Sequence, residues 1–122
     1  MKTIVLGAST NPTRYAWRAV SLLHQNEIPL VPLGIRKGKT AENYDIVNGL
    51  PAIADVHTIT LYISADIQPD YYDYILEELR PQRIIFNPGT ENPEFYARIK
   101  AVDYPIEIEV ACTLVMLQIG NF

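Results

Sequence analysis

The sequence is poor in cysteine, in basic charge and in long apolar runs, and each shortage excludes a class of protein. One cysteine, Cys112, among 122 residues cannot form an intrachain disulfide, which favours a reducing compartment such as the cytoplasm. A net charge of −4 makes the surface unfavourable for nucleic acid and for anionic membranes. No apolar run approaches the roughly 20 residues that span a bilayer. Gly7 also interrupts the first apolar run too early for a signal peptide.

The residues that are present indicate one globular domain. With 48% hydrophobic and 20% charged residues, the chain has the composition of a folded core, and we expect one domain over residues 1–122. Short β-branched runs predict strands at 3–6, 29–33, 58–63, 83–86 and 105–110. Apolar residues at helical spacing follow at 16–23, 72–79 and 93–102, and residues 111–117 form an apolar tail. Residues 34–57 have no firm period and room for one short strand.

Strands that alternate with helices predict a parallel sheet with right-handed crossovers. We therefore expect an α/β fold, a Rossmann-like doubly wound sheet of five mainly parallel strands in the order 3-2-1-4-5. Such a sheet binds its ligand where the strand order reverses, at the carboxyl ends of the flanking strands. This rule predicts a site at the turns that follow Leu6 and Phe86.

The first of these turns has the composition of an anion site. It precedes a helix, whose unpaired N–H groups and dipole favour a phosphate or pyrophosphate. A glycine turn followed by an ordinary helix cap is the alternative. The dinucleotide fingerprint G-x-G-x-x-G is not met, because serine and proline replace its second and third glycines. The candidate residues are Gly7, Ala8, Ser9, Thr10, Asn11 and Pro12.

The turn after the second strand is basic where an NAD-binding protein would carry an acidic residue. Three cations, Arg36, Lys37 and Lys39, lie within four residues and could receive a phosphate on a ribose, although a solvated basic loop is the alternative. Together the two turns suit an adenine nucleotide with a pyrophosphate and a further ribose phosphate, which describes both coenzyme A and NADP. Arg14 and Arg18 share a helical face and could support phosphate or pair with surface carboxylates.

Several motifs resemble one family. They are residues 5–12 with Arg14, Tyr15 and 18–20 after them, then 32–38, 48–51, 86–92 and 111–117. These segments are similar to the small CoA-binding proteins related to the amino-terminal domain of the succinyl-CoA synthetase alpha subunit. The resemblance covers nearly the whole chain, and the turn Asn-Pro-Gly-Thr-Glu-Asn at 87–92 is its most specific element.

The resemblance implies a Rossmann-like domain that binds coenzyme A or an acyl-CoA. It implies that the first turn lies at the pyrophosphate and the basic turn, with Ile35, Arg36 and Lys37, near the adenosine 3′-phosphate. In the synthetase the phosphorylated histidine lies in a further domain, so ligase activity is not expected here. The adenine and pantetheine path would be lined by Tyr62, Ile63, Ser64, Asn87, Pro88, Gly89, Thr90, Glu91 and Asn92.

Catalytic chemistry has little support in the sequence. No serine or cysteine has a motif that places it beside a histidine, and metal-ligand spacing is absent, so no catalytic or metal site is predicted. His24 and His57 are expected away from the site. Glu91 and Asn92 either act on a bound ligand or bond turn amides and cap a helix. Cys112 is either core or a partner for the CoA thiol.

Three functions remain open at this point. The first is a CoA or acyl-CoA binding module that acts as a carrier, sensor or regulator without catalysis of its own. The second is an NADP-dependent reductase with Glu91 or a tyrosine as proton donor. The third is a protein-interaction module, such as a homodimer, with a vestigial pocket and a contact surface made of Tyr71, Tyr72, Tyr74 and the apolar tail.

Overall fold

The computed structural model describes residues 2–122 and contains one five-stranded sheet in which every neighbouring pair of strands is parallel. Helices cover both faces of the sheet, so the predicted Rossmann-like doubly wound fold is confirmed. The strands are β1 (Lys2–Leu6), β2 (Leu30–Leu33), β3 (Val56–Leu61), β4 (Arg83–Phe86) and β5 (Glu107–Val110). The α-helices are α1 (Tyr15–Gln25), α2 (Pro93–Ala101) and α3 (Thr113–Ile119).

The strand order is β2-β1-β3-β4-β5, whereas the sequence predicted 3-2-1-4-5. The polar segment between β2 and β3 explains the difference. It contributes one parallel bridge, between Val47 and Leu33 on the outer edge of β2, where the predicted third strand would lie. If Val47 is counted as a rudimentary third strand, the observed strand order agrees with the predicted one, and β5 becomes a sixth strand at the end of the sheet. The order therefore reverses between β1 and β3, so the turn after Leu61 occupies the place expected for the turn after Phe86.

Apolar side chains of the buried strands alternate between two core clusters. In β1, Ile4 and Leu6 pack into one cluster with residues of β3, β4 and α2, whereas Val5 packs into the other with α1. Both clusters consist of side chains withdrawn from water, and this burial is the main term that stabilises the sheet between its helical layers. The helical stripe predicted in the first helix is also buried, at Ala16, Ala19, Val20 and Leu23.

The second predicted helix is present but irregular. A 3-10 turn, Gln68–Tyr71, leads to a π-helix, Tyr74–Leu79, whose apolar stripe is buried as predicted. The backbone N–H of Arg80 donates to the Ile75 carbonyl at 2.9 Å, and Arg80 itself is left-handed, with φ of 48°. Pro81 follows and cannot continue a helix. None of the helices in residues 2–122 has the length and apolar character needed to cross a membrane.

Candidate functional site

A cleft of about 520 Å³ opens at the carboxyl ends of β1 to β4. It spans the reversal of strand order between β1 and β3, the place where doubly wound sheets bind ligands. Four turns form it, one after each of these strands, together with the first turn of α1. The lining consists of Gly7, Ala8, Ser9, Arg14, Tyr15, Ala16, Gly34, Ile35, Arg36, Tyr62, Ile63, Ser64, Ile67, Tyr71, Pro88, Gly89 and Thr90.

Glycines allow the first three turns to pack with their backbones in contact. Gly7 has a φ of 102°, and a Cβ added there would lie 3.0 Å from the carbonyl carbon of Tyr62. A Cβ on Gly34 would lie 3.0 Å from the carbonyl oxygen of Ala8. The N–H groups of Gly7 and Ala8 both donate to the Leu33 carbonyl, at 2.9 and 3.1 Å. Backbone atoms of these three turns therefore lie close together beside the cleft.

The loop between β1 and α1 is held by its own side chains. The backbone N–H of Asn11 donates to the Ser9 hydroxyl at 3.0 Å, and the N–H of Thr13 donates to the Asn11 side-chain oxygen at 3.0 Å. These bonds carry the loop away from the cleft, so Thr10, Asn11 and Pro12 do not line it, although the sequence predicted that they would. They shape the turn, and the chain returns to the cleft at Arg14.

The amino end of α1 faces the cleft without a capping side chain. Arg14 is the residue before the helix and its side chain makes no capping hydrogen bond. Arg14, Tyr15 and Ala16 all line the cleft, so the first turn of the helix borders it. Unpaired N–H groups at a helix amino end carry partial positive charge and attract anions. Arg18, the second arginine on this face, instead lies over the ring of Tyr15 at 5.9 Å.

The basic turn contributes one cation to the cleft lining rather than three. Arg36 lines the cleft, Lys37 is exposed outside it, and Lys39 pairs with Asp45 at 2.7 Å. The side-chain amide of Asn48 donates to the carbonyls of Gly34 and Arg36, at 2.7 and 2.9 Å, and so fixes the turn. Lys37, which the sequence predicted near a ribose phosphate, lies outside the lining, and its contact with a ligand stays a prediction.

The fourth turn divides into lining and supporting residues. Pro88, Gly89 and Thr90 line the cleft, whereas Asn87 and Asn92 are buried beneath it. The Asn87 amide donates to the Thr60 hydroxyl at 2.7 Å and the Leu61 carbonyl at 2.8 Å, and its oxygen accepts from the Thr113 N–H at 2.9 Å.

Glu91 and Asn92 also support the turn rather than line the cleft. Glu91 accepts from the backbone N–H of Gly89 at 2.8 Å. Asn92 caps α2, since its side-chain oxygen accepts from the Phe95 N–H at 3.2 Å. Of the two interpretations offered by the sequence for these residues, the structure shows the contacts of the second.

The third turn places Tyr62, Ile63 and Ser64 in the lining, as predicted. The Tyr62 hydroxyl is buried and has no hydrogen-bond partner among the described residues. Burial raises the pKa of Tyr62 to about 12, although the nearby hydroxyls of Thr113 and Thr60 act in the opposite direction. Ile67 and Tyr71 extend this wall. Sequence reasoning missed them, along with Ala16 and Gly34, because their exposure to the cleft depends on how the turns fold back.

The remaining reactive side chains lie outside the cleft lining. His24 is 3.0 Å from the Tyr44 hydroxyl, and His57 is 2.8 Å from the hydroxyl of Thr58. Cys112 is a free, half-buried thiol. Across residues 2–122, no group of three or more His, Cys, Asp or Glu side chains could hold a metal ion.

Of the surface predicted for a partner, made of three tyrosines and the apolar tail, two tyrosines are buried. Tyr72 and Tyr74 are buried in the core, and Tyr71 faces the cleft. Their helical stripe packs inward against the sheet, which leaves no continuous aromatic surface. The exposed apolar residues near the carboxyl end are instead Val110, Val115 and Ile119.

Comparison with known structures supports the fold. A crystal structure of an uncharacterized protein is similar, with a TM-score of 0.92, 42% identity, and coverage of 99% of this chain and 97% of that one. Cell-free ID.343 from Thermus thermophilus has a TM-score of 0.81 at 21% identity, with coverage of 99% and 90%. A hypothetical protein from Pyrococcus horikoshii OT3 has a TM-score of 0.80 at 15% identity, with coverage of 95% of this chain and 80% of that one. The last two show the fold alone.

Sequence comparison identifies the family. No protein with a curated description matches the chain significantly. A family model described as the CoA binding domain matches residues 1–118, which is nearly the full length and includes all four turns of the cleft. The chain therefore belongs to the CoA binding domain family.

Proposed function

We propose that the cleft binds coenzyme A or an acyl-CoA, and that the chain acts in the cytoplasm as a carrier, sensor or regulator rather than as a catalyst. One observation carries this proposal. Arg14 and Arg36, from two separate segments, meet at one cleft of a chain whose net charge is −4, and no carboxylate is among the described lining residues. Guanidinium groups bind phosphate with paired hydrogen bonds, so this cleft suits a ligand with several phosphates.

The pyrophosphate is assigned to the space between Gly7–Ser9 and the start of α1. Here the N–H groups at the uncapped start of α1 and the Arg14 side chain border the same part of the cleft. A pyrophosphate at this position would accept from groups that the fold leaves without an intrahelical partner.

The 3′-phosphate of the adenosine is assigned to Arg36. This arginine is the cation of the basic turn that lines the cleft, and Asn48 holds the turn's carbonyls from behind. The adenine and pantetheine portions are assigned to the less polar wall, where Tyr62, Ile67 and Tyr71 present apolar surface. Such a wall has the mixture of apolar area and few polar groups that is usual in cofactor sites.

A binding role without catalysis fits the hydrogen bonds that the serine and threonine hydroxyls of the cleft lining make within their own turns. Ser9 accepts from the Asn11 N–H, Ser64 donates to Asp66, and Thr90 donates to the Asn87 carbonyl at 2.8 Å. Each hydroxyl therefore holds its own turn in place. A free cysteine, Cys112, is also compatible with a reducing cytoplasm.

Calorimetric titration with CoA, acetyl-CoA, dephospho-CoA and NADP tests the proposal. We expect CoA to bind about tenfold more tightly than dephospho-CoA, because the latter lacks the phosphate assigned to Arg36. Arg36→Ala should weaken CoA binding and bring the two affinities together. Lys37→Ala is the matched control, since it removes a neighbouring exposed cation, and it should change the Kd for CoA by less than about twofold.

Equal binding of CoA and dephospho-CoA by the unaltered protein would contradict the role given to Arg36. Tighter binding of NADP than of CoA would show that the cleft is a site for NADP instead. If none of the four ligands bound, the proposed function itself would be wrong.

A further inference from the structure

One buried side-chain amide links two of the turns that form the cleft, those after β3 and β4. Gln68 lies in the 3-10 turn after β3 and is completely buried. Its side-chain nitrogen donates to the Ile63 carbonyl at 3.0 Å and to the Thr90 carbonyl at 2.8 Å. Ile63 belongs to the third turn and Thr90 to the fourth, and both line the cleft. A single side chain thus bridges the turns after β3 and β4.

The rest of the Gln68 amide is also engaged, which fixes its orientation. Its oxygen accepts from the Asn92 amide at 2.9 Å, and the same Asn92 nitrogen donates to the Tyr72 hydroxyl at 2.8 Å. Both donors and the acceptor of Gln68 therefore have partners. In a buried network of this kind, loss of one member leaves the others unpaired at a cost. The fully bonded amide of Gln68 is therefore a fixed link between the two turns, beside the pairing of β3 with β4.

Gln68 does not line the cleft, so it acts on a ligand only through the turns it joins. We propose that Gln68 is a positioning residue for CoA, holding the turns Tyr62–Ser64 and Pro88–Thr90 at the separation that the ligand requires. This inference rests on the function proposed above. Without Gln68 the two turns move independently, the binding-competent arrangement is less populated, and the apparent affinity falls by that fraction.

Gln68→Met tests this role, because methionine has a similar length and fills the space but makes none of the three hydrogen bonds. The matched control is Tyr72→Phe, which removes a hydrogen bond from Asn92 in the same network and none made by Tyr62–Ser64 or Pro88–Thr90. CoA titrations are made at the same interval below each variant's Tm. Amide hydrogen exchange of Tyr62, Gly89 and Thr90 is measured on the ligand-free proteins.

We expect Gln68→Met to weaken CoA binding about tenfold and to speed exchange in both turns, on the argument that roughly a tenth of the molecules remain competent. Tyr72→Phe should change the Kd by less than about twofold, since both turns keep their shared amide. If Gln68→Met fails to fold, Gln68→Asn makes the same comparison. Its amide is one methylene shorter and can reach one of the two carbonyls, so a loss of about threefold is expected.

Two results would overturn the role of Gln68. One is unchanged CoA binding by the folded Gln68 variant, and the other is an equal loss in Tyr72→Phe. Absence of CoA binding by the unaltered protein would instead overturn the proposed function. In that case the role of Gln68 is judged from hydrogen exchange alone. Unchanged exchange in the two turns of the Gln68 variant would show that Gln68 does not position them.

Discussion

The two walls of the cleft are held together by different means. In the first wall, formed by the turns after β1 and β2, glycines allow close backbone packing: Gly34 lies against Ala8 within the wall, and Gly7 lies against Tyr62 of the turn after β3. The second wall, formed by the turns after β3 and β4, relies on the buried amides of Gln68, Asn87 and Asn92. The first wall is therefore sensitive to added atoms, and the second to lost hydrogen-bond partners. Three substitutions test this difference.

Gly7→Ala should have the largest effect, a loss of about 3 kcal/mol in the free energy of unfolding. The new methyl group would lie 3.0 Å from the Tyr62 backbone, and φ of 102° is itself unfavourable for alanine. Gly89→Ala, in the second wall, is the control. Its φ is 91° but no atom lies within 4 Å of the added carbon, so we expect a loss of about 1 kcal/mol. Urea denaturation measures both, and equal losses would remove the distinction between the walls.

Asn87→Leu should cost about 2 kcal/mol, because it leaves the Leu61 carbonyl and the Thr113 N–H buried without partners. Asn48→Leu is the corresponding change in the first wall. It removes two hydrogen bonds, both to carbonyls, but one of these is exposed to water, so the loss should stay below about 1 kcal/mol. A greater loss for Asn48→Leu in thermal unfolding would show that the first wall depends on amides as well.

Tyr62→Phe should have the smallest effect at neutral pH, within about 0.5 kcal/mol of the unaltered protein, because its hydroxyl is buried without a partner among the described residues. A difference should appear in alkali. Burial raises the pKa of Tyr62 from 10.0 to about 12, so between these values the unfolded chain releases a proton that the folded chain retains. The free energy of unfolding therefore falls as pH rises through this range.

The Tyr62→Phe variant lacks this proton, so its stability should fall less steeply between pH 10 and 12 than that of the unaltered protein. Urea denaturation at several pH values measures the slope. Tyr15→Phe, at a tyrosine that is 66% exposed, is the control for loss of a hydroxyl. Identical slopes for Tyr62→Phe and the unaltered protein would mean that the second wall does not bury this hydroxyl in solution.

Much of the first wall could be predicted from the sequence. An apolar β-branched run that ends at Gly7 indicates a buried strand and a turn, and both are present. The apolar spacing of α1 likewise agrees with the residues it buries. The residue at which α1 begins, Tyr15, could not be predicted in the same way. It depends on hydrogen bonds that Ser9 and Asn11 make within the loop before the helix.

The second wall could be predicted only in part. Asn87 and Asn92 were recognised as elements of a specific turn, but a ligand contact and a buried support have the same sequence. Gln68 gave no signal at all, because two of its three partners, Thr90 and Asn92, lie on a segment that becomes its neighbour only when β3 pairs with β4. From the sequence alone, polar side chains in turns are predicted to be exposed, because the segments that bury them are known only once the topology is known.

The rudimentary strand at Val47 has a consequence for how this fold can change its ligand. Arg36 belongs to an insert that joins the sheet at one bridge and is otherwise outside its ladders. Replacement of exposed residues there, such as Arg36 and Lys37, would change the charge beside the cleft and leave buried residues of the insert, such as Ala41 and Ile46, in place. The strand ladders and the arginine proposed to contact the 3′-phosphate therefore belong to separate stretches of the chain.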